Sequence, residues 1–126
     1  MQPAKEICPT TTFNKVKNGA LLVDVRRKAE VDDIRFDVPA YLHIPLSELE
    51  NRLDEIPRDR EVIFVCRSGS RSLRATYFLM NAGYENVYNM KDGIIKWAAK
   101  GFPVKGNKTA LYTIGDSCDC SDPDCC

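Results

Sequence analysis

Two short runs of apolar residues without polar alternation stand out along the chain: Leu21-Leu22-Val23-Asp24-Val25 and Val62-Ile63-Phe64-Val65-Cys66. Consecutive branched apolar residues predict strands covered on both faces, as in a parallel sheet with helices above and below. Shorter strands are expected at Glu6–Cys8, Tyr41–Ile44 and Asn86–Tyr88. Helical patterns lie between them. Thr10 to Asn18 opens on cap-competent threonines and stops at Gly19. Ser47 to Leu53 places Leu49 and Leu53 four apart after Pro45. Ser70 to Ala82 puts Leu73, Tyr77 and Met80 on one stripe and ends at Gly83. Asp92 to Lys100 carries Ile94, Ile95, Trp97 and Ala98 before Gly101 and Pro103. Trp97 and Tyr77 read as core residues. The alternation predicts one α/β domain over residues 5–104, with a central parallel sheet of about five strands flanked by helices on both faces.

Length and composition agree with that picture. The 126 residues fit one ordinary domain, and 44% hydrophobic with 29% charged residues is a globular balance. The longest apolar runs, Ala20–Val23 and Val62–Cys66, fall far short of the about 20 residues a membrane span needs. Residues 1–12 contain no apolar run of the secretory type, so a cytoplasmic location with reduced thiols is expected. Eighteen basic residues balance 18 acidic ones, which argues against a nucleic-acid partner.

Six cysteines in so short a chain raise the question of a disulfide scaffold, but their placement argues otherwise. Cys8 and Cys66 have 57 residues between them, and Cys118, Cys120, Cys125 and Cys126 crowd into the last nine positions. Residues 105–126 are therefore expected to be a separate Cys/Asp-rich tail. Asp116, Asp119, Asp122 and Asp124 give residues 116–126 a charge of −4 without any Lys or Arg, leaving +4 on the rest. The tail thiols lie closer together than structural zinc pairs, which have two to four residues between ligands. A soft thiolate metal site, a thiol relay or sulfur carrier, and a solvated acidic tail stay open for it; nothing else in the chain calls for a metal or cofactor.

The chemistry concentrates at Cys66-Arg67-Ser68-Gly69-Ser70-Arg71, directly after an apolar strand and directly before a helix. In open α/β sheets, ligands bind beyond the carboxyl ends of the strands. Gly69 and the serines let successive backbone N–H groups curl inward into an anion-binding nest. The following helix turns its positive end to the same spot, and Arg67 and Arg71 add fixed charge. A thiol there favours the thiolate, supplying a nucleophile without a histidine base. The sole histidine, His43, lies in another segment and reads as structural. A lone cysteine ending a strand is often just a small buried hydrophobe. The polar Arg-Ser-Gly-Ser-Arg continuation has no packing purpose and tips the balance toward function.

These residues carry a resemblance. Cys66 to Arg71 resembles the active-site loop of the rhodanese (thiosulfate sulfurtransferase) family in its small single-domain form. Leu21 to Arg26 is similar to the family's early strand motif ending in Asp-Val-Arg, and Ile44-Pro45-Leu46-Ser47-Glu48-Leu49 to its middle motif. Asn89 to Trp97, with Gly101-Phe102-Pro103-Val104, resembles its closing motif, with Asp92 in place of the first glycine. The resemblance implies that Cys66 takes sulfane sulfur from thiosulfate or a persulfide donor and passes it, as a persulfide, to cyanide, a thiol or a protein acceptor. It further implies that the N–H groups of Arg67, Ser68, Gly69, Ser70 and Arg71 cradle the persulfide. Arg67 or Arg71 is expected to hold the donor, and Asp24 and Arg26 to buttress the loop.

Two departures and one rival bear on this reading. Phe36-Asp37-Val38-Pro39 stands where relatives often have Gly-His-Ile-Pro, and residues 26–35 lack the usual Glu-Phe or Glu-Tyr pair, which bears on the rim and not on the nucleophile. The rival is a phosphatase-like or arsenate-reducing enzyme. Loops of that kind place their arginine one position further from the cysteine, making a wider cradle for a tetrahedral oxyanion. The shorter spacing from Cys66 to Arg71 suits a single sulfur atom.

Overall fold

A computed structural model describes residues 3–106; the tail cysteines Cys118, Cys120, Cys125 and Cys126, and the readings attached to them, lie outside the described residues. The chain runs β1 (Glu6–Ile7), α1 (Pro9–Lys17), β2 (Leu21–Asp24), α2 (Lys28–Asp33), β3 (Ile34–Phe36), β4 (Tyr41–His43), β5 (Val62–Val65), α3 (Ser70–Asn81), β6 (Val87–Met90), α4 (Gly93–Ala99) and β7 (Val104–Gly106). The expected parallel sheet is present, with five strands in the order β1-β6-β5-β2-β4. The two apolar runs are interior strands, β5 at the centre and β2 beside it, where both faces are covered.

Alternation along those strands divides the core into two layers. Leu22, Ile63 and Val65 join α1, α4 and β3 on one face, around the fully buried Trp97 and Phe36. Val23, Val62, Phe64 and Cys66 face Ala75 and Leu79 of α3 and Leu49 on the other. Trp97 is held by its indole N–H donating to the Pro103 carbonyl at 2.9 Å. No helix among the described residues is long and apolar enough to cross a membrane.

Three local readings change. The segment expected as a helix from Ser47 to Leu53 forms two 3-10 turns, Leu46–Asn51 and Leu53–Glu55. With Leu49 the single buried residue in them, there is no apolar stripe to anchor a longer α-helix. On α3, the inward face is Ser72, Ala75, Thr76 and Leu79, whereas Leu73, Tyr77 and Met80 are half-buried. Small side chains bring this helix close to the sheet, and the Thr76 hydroxyl satisfies itself on the Ser72 carbonyl at 2.8 Å. Finally, α2, β3 and β7 have no counterpart in the apolar pattern. β3 and β7 pair antiparallel, Ile34 with Gly106 and Phe36 with Val104. This small second sheet depends on contacts across about 70 residues, which local periodicity does not encode.

Candidate active site

Cys66 follows β5 directly, and Gly69 is the N-cap of α3. At φ +102° Gly69 is in the left-handed region open to glycine, so the chain reverses and its N–H donates to Cys66 Sγ at 3.0 Å. Helix α3 has no acidic residue in its first turn, so its positive end faces the sulfur uncompensated by a carboxylate of its own. Cys66 itself is 0% exposed, which strengthens each of these interactions over its value in water. Beneath the loop, Ser72 Oγ lies 3.4 Å from Sγ, 3.1 Å from the Gly69 carbonyl and 2.5 Å from Asn89 Oδ1. The Asn89 amide donates to the same Gly69 carbonyl at 3.3 Å.

The loop is also held from the next crossover. The Ile94 N–H donates to the Cys66 carbonyl at 2.9 Å, and the Ile95 N–H to that of Arg67 at 3.4 Å. Gly93 makes this approach feasible: a Cβ there would lie 2.1 Å from the Arg67 carbonyl oxygen, and its φ is +62°. Asp92, where the family motif has glycine, is the only non-glycine with positive φ among the described residues, at 68°. Asp tolerates that conformation better than most residues.

Arg71 is paired with an acidic residue of α2. Its two terminal nitrogens donate to the two carboxylate oxygens of Glu30 on α2, at 2.6 and 2.9 Å. That bidentate pair holds the Glu30 carboxyl down at about 2. The Arg27 N–H also donates to Glu30 Oε1 at 3.2 Å, closing the first turn of α2.

Asp24 and Arg26 form a buried pair, 0% and 1% exposed, with Nη2 to Oδ2 at 2.8 Å and Nε to Oδ1 at 3.0 Å. Arg26 also donates to the Ile34 carbonyl at 2.8 Å and accepts at its own carbonyl from His43 Nε2 at 2.7 Å. The Tyr41 hydroxyl donates to Asp24 Oδ2 at 2.8 Å, and burial followed by the Asp24 charge pushes that phenol well above its usual range. None of these bonds touches residues 66–71. They tie β2 to the end of α2, the helix that carries Glu30.

Arg67 is half-buried and forms no ion pair among the described residues, while Ser68 and Ser70 are exposed. An open cleft of about 440 Å³ lies beside the loop, lined by Val25, Arg27, Pro45, Leu46, Ser47 and Arg71. Glu30, Ser72 and Asn89 complete the site and were not anticipated from the sequence. Ser72, one residue past Arg71 in a helix start, resembles any solvent-facing serine, and Glu30 is one charge among many in residues 26–35.

The site is a buried cysteine at the carboxyl edge of a parallel sheet, with a backbone N–H at the cap of the following helix on its sulfur. The family model described as "Rhodanese-like domain" matches residues 12–100, and the chain belongs to the rhodanese-like family. It is 44% identical over 84 residues to a sulfurtransferase of Allochromatium vinosum, covering 67% of this chain and 77% of that protein. A mitochondrial thiosulfate sulfurtransferase of Saccharomyces cerevisiae is 32% identical over 110 residues, covering 71% of this chain and 72% of its own. The crystal structure of a rhodanese-related protein from Thermoplasma volcanium superposes with a TM-score of 0.72 at 28% identity, covering 80% of this chain and 97% of that one. Family and relatives together support a role in sulfur transfer.

Proposed function

We propose that this chain is a thiosulfate sulfurtransferase in which Cys66 carries sulfane sulfur as a persulfide. The Cys66 thiolate attacks the outer sulfur of thiosulfate; the sulfur–sulfur bond of the donor breaks and sulfite leaves, giving Cys66–S–S⁻. An acceptor nucleophile, cyanide or a thiolate, then takes the outer sulfur, and the Cys66 thiolate leaves. Charge is conserved in each step, and the two half-reactions predict ping-pong kinetics. The observation that carries the reading is the Gly69 N–H on Cys66 Sγ at 3.0 Å at the positive end of α3. Such donors stabilise the thiolate before the first step and again when it leaves in the second. Arg67, free of an acidic partner among the described residues, is the group we assign to the sulfonate end of the donor; Arg71, engaged with Glu30, shapes the rim. The adjoining cleft admits the acceptor.

The test is thiosulfate:cyanide turnover with mass spectrometry of the thiosulfate-treated protein. Wild type is expected to gain the mass of one sulfur on Cys66, and Cys66→Ser to lose both adduct and turnover while keeping its fold. Full activity in Cys66→Ser would refute the proposal. Turnover of a phosphoester without sulfur uptake would favour the phosphatase-like rival.

A further inference from the structure

Ser72 has one hydroxyl proton and three acceptors within reach: Cys66 Sγ, the Gly69 carbonyl at 3.1 Å, which the Asn89 amide already serves, and Asn89 Oδ1. Its hydroxyl is within reach of Cys66 Sγ at 3.4 Å and of Asn89 Oδ1 at 2.5 Å, and both Ser72 and Asn89 are essentially removed from water, at 0% and 1% exposure. The Asn89 amide cannot exchange the roles of its ends, because its Nδ2 donates to the Gly69 carbonyl. Oδ1 is therefore an acceptor aimed at Ser72. A serine needed only to fill space against the sheet would require no second acceptor, and a buried polar pair beneath a nucleophile is costly unless its hydrogen bonds are made.

We propose that Ser72 is a positioning residue whose hydroxyl turns between Cys66 and Asn89 as the negative charge moves during sulfur transfer. The inference rests on the persulfide reading above. When the charge is on Sγ, the hydroxyl donates to it, and a hydrogen bond to a charged acceptor outweighs one to a neutral amide oxygen. After sulfur uptake the charge resides on the outer sulfur. Sγ is then a neutral divalent sulfur and a poor acceptor, so the hydroxyl returns to Asn89 Oδ1. When the acceptor removes the outer sulfur, the bond between the two sulfurs breaks with its electron pair going to Sγ, and Ser72 turns back to receive the leaving thiolate. Asn89 thus gives the hydroxyl a satisfied resting place in the half of the cycle in which Sγ is neutral. No proton is transferred; one hydrogen bond changes acceptor.

The experiment compares wild type, Ser72→Ala and Ser72→Thr in the full chain, using two readouts. One is the ultraviolet thiolate absorbance due to Cys66, taken as the difference from Cys66→Ser at neutral pH. The other is kcat and KM in the thiosulfate:cyanide assay. Ser72→Ala is expected to lower the Cys66 thiolate signal and reduce kcat about tenfold, with KM for thiosulfate nearly unchanged, as for loss of one hydrogen bond to a charged group. Ser72→Thr, which keeps the hydroxyl, is expected to restore both. Unchanged signal and kcat in Ser72→Ala would overturn the proposal, as would equal impairment of folded Ala and Thr variants, which would indicate packing alone. Ser72→Cys, close in size with a weaker donor, stands in if the Ala variant does not fold. The absorbance readout does not depend on sulfur transfer. A wild type that takes up no sulfur would therefore refute the persulfide reading while the hydroxyl's effect on the thiolate is still decided.

Discussion

Arg71 and Glu30, 41 residues apart, meet through two parallel hydrogen bonds of 2.6 and 2.9 Å. The pair joins the first turn of α3 to α2, so the far end of the cysteine loop is clamped to an element the apolar pattern does not reveal. Arg71, one of the two arginines expected to meet the donor, is built into the wall of the site through Glu30.

Glu30→Gln is expected to loosen that wall. Both side chains are only partly exposed, 30% for Arg71 and 21% for Glu30, so the loss of stability is about 1 kcal/mol, near the upper end for a surface pair. The loop shift that follows is expected to reduce kcat/KM for thiosulfate roughly tenfold. Thermal unfolding and steady-state kinetics measure the two effects; an unchanged kcat/KM would show that the clamp does not shape the site.

Acid should remove the same contribution in wild type. The Glu30 carboxyl, held by Arg71, lies at about 2 when folded against an ordinary 4.5. A lowered folded value means that the unfolded chain binds the proton first. The stabilisation is therefore complete above about pH 4.5 and is lost between there and about pH 2. Urea midpoints of wild type and Glu30→Gln are expected to differ above this window and converge as pH falls through it. A gap that stays constant would assign the effect to packing.

Asp24→Ala is expected to cost about 3–5 kcal/mol, because it leaves the 1%-exposed Arg26 guanidinium buried without its carboxylate. The double variant Asp24→Ala/Arg26→Met should recover much of that stability while kcat/KM stays low, since the Arg26 bond to the Ile34 carbonyl beside α2 is gone. Denaturant titration of the three proteins decides it.

Gly93→Ala is expected to cost about 2–5 kcal/mol, the sum of left-handed strain and overpacking. The added methyl would meet the Arg67 carbonyl carbon at 2.3 Å and the Cys66 carbonyl oxygen at 2.6 Å, both backbone atoms of the cysteine loop. Activity should fall further than at Gly101→Ala, where a Cβ meets nothing within 4 Å. Equal losses at the two positions would contradict the role assigned to Gly93.

The parallel sheet, its interior strands β2 and β5 and the placement of Cys66 between a strand and a helix were legible from local order alone. Runs such as Val62–Val65 need burial on both faces wherever they fold, and a polar, glycine-containing loop after such a strand has few other uses. Only the tertiary structure decided the rest. Glu30, Ser72 and Asn89 are polar residues in unremarkable sequence surroundings, and each acquires its role from a partner 41 or 17 residues away. Ser72 and Thr76 point inward where hydrophobicity alone would turn Leu73 and Tyr77, because small hydrogen-bonded side chains let α3 pack against the sheet beside the sulfur. Hydrophobic periodicity reports which faces are covered; it carries no information on which distant polar group completes a hydrogen bond, and the surroundings of Cys66 are built from such bonds.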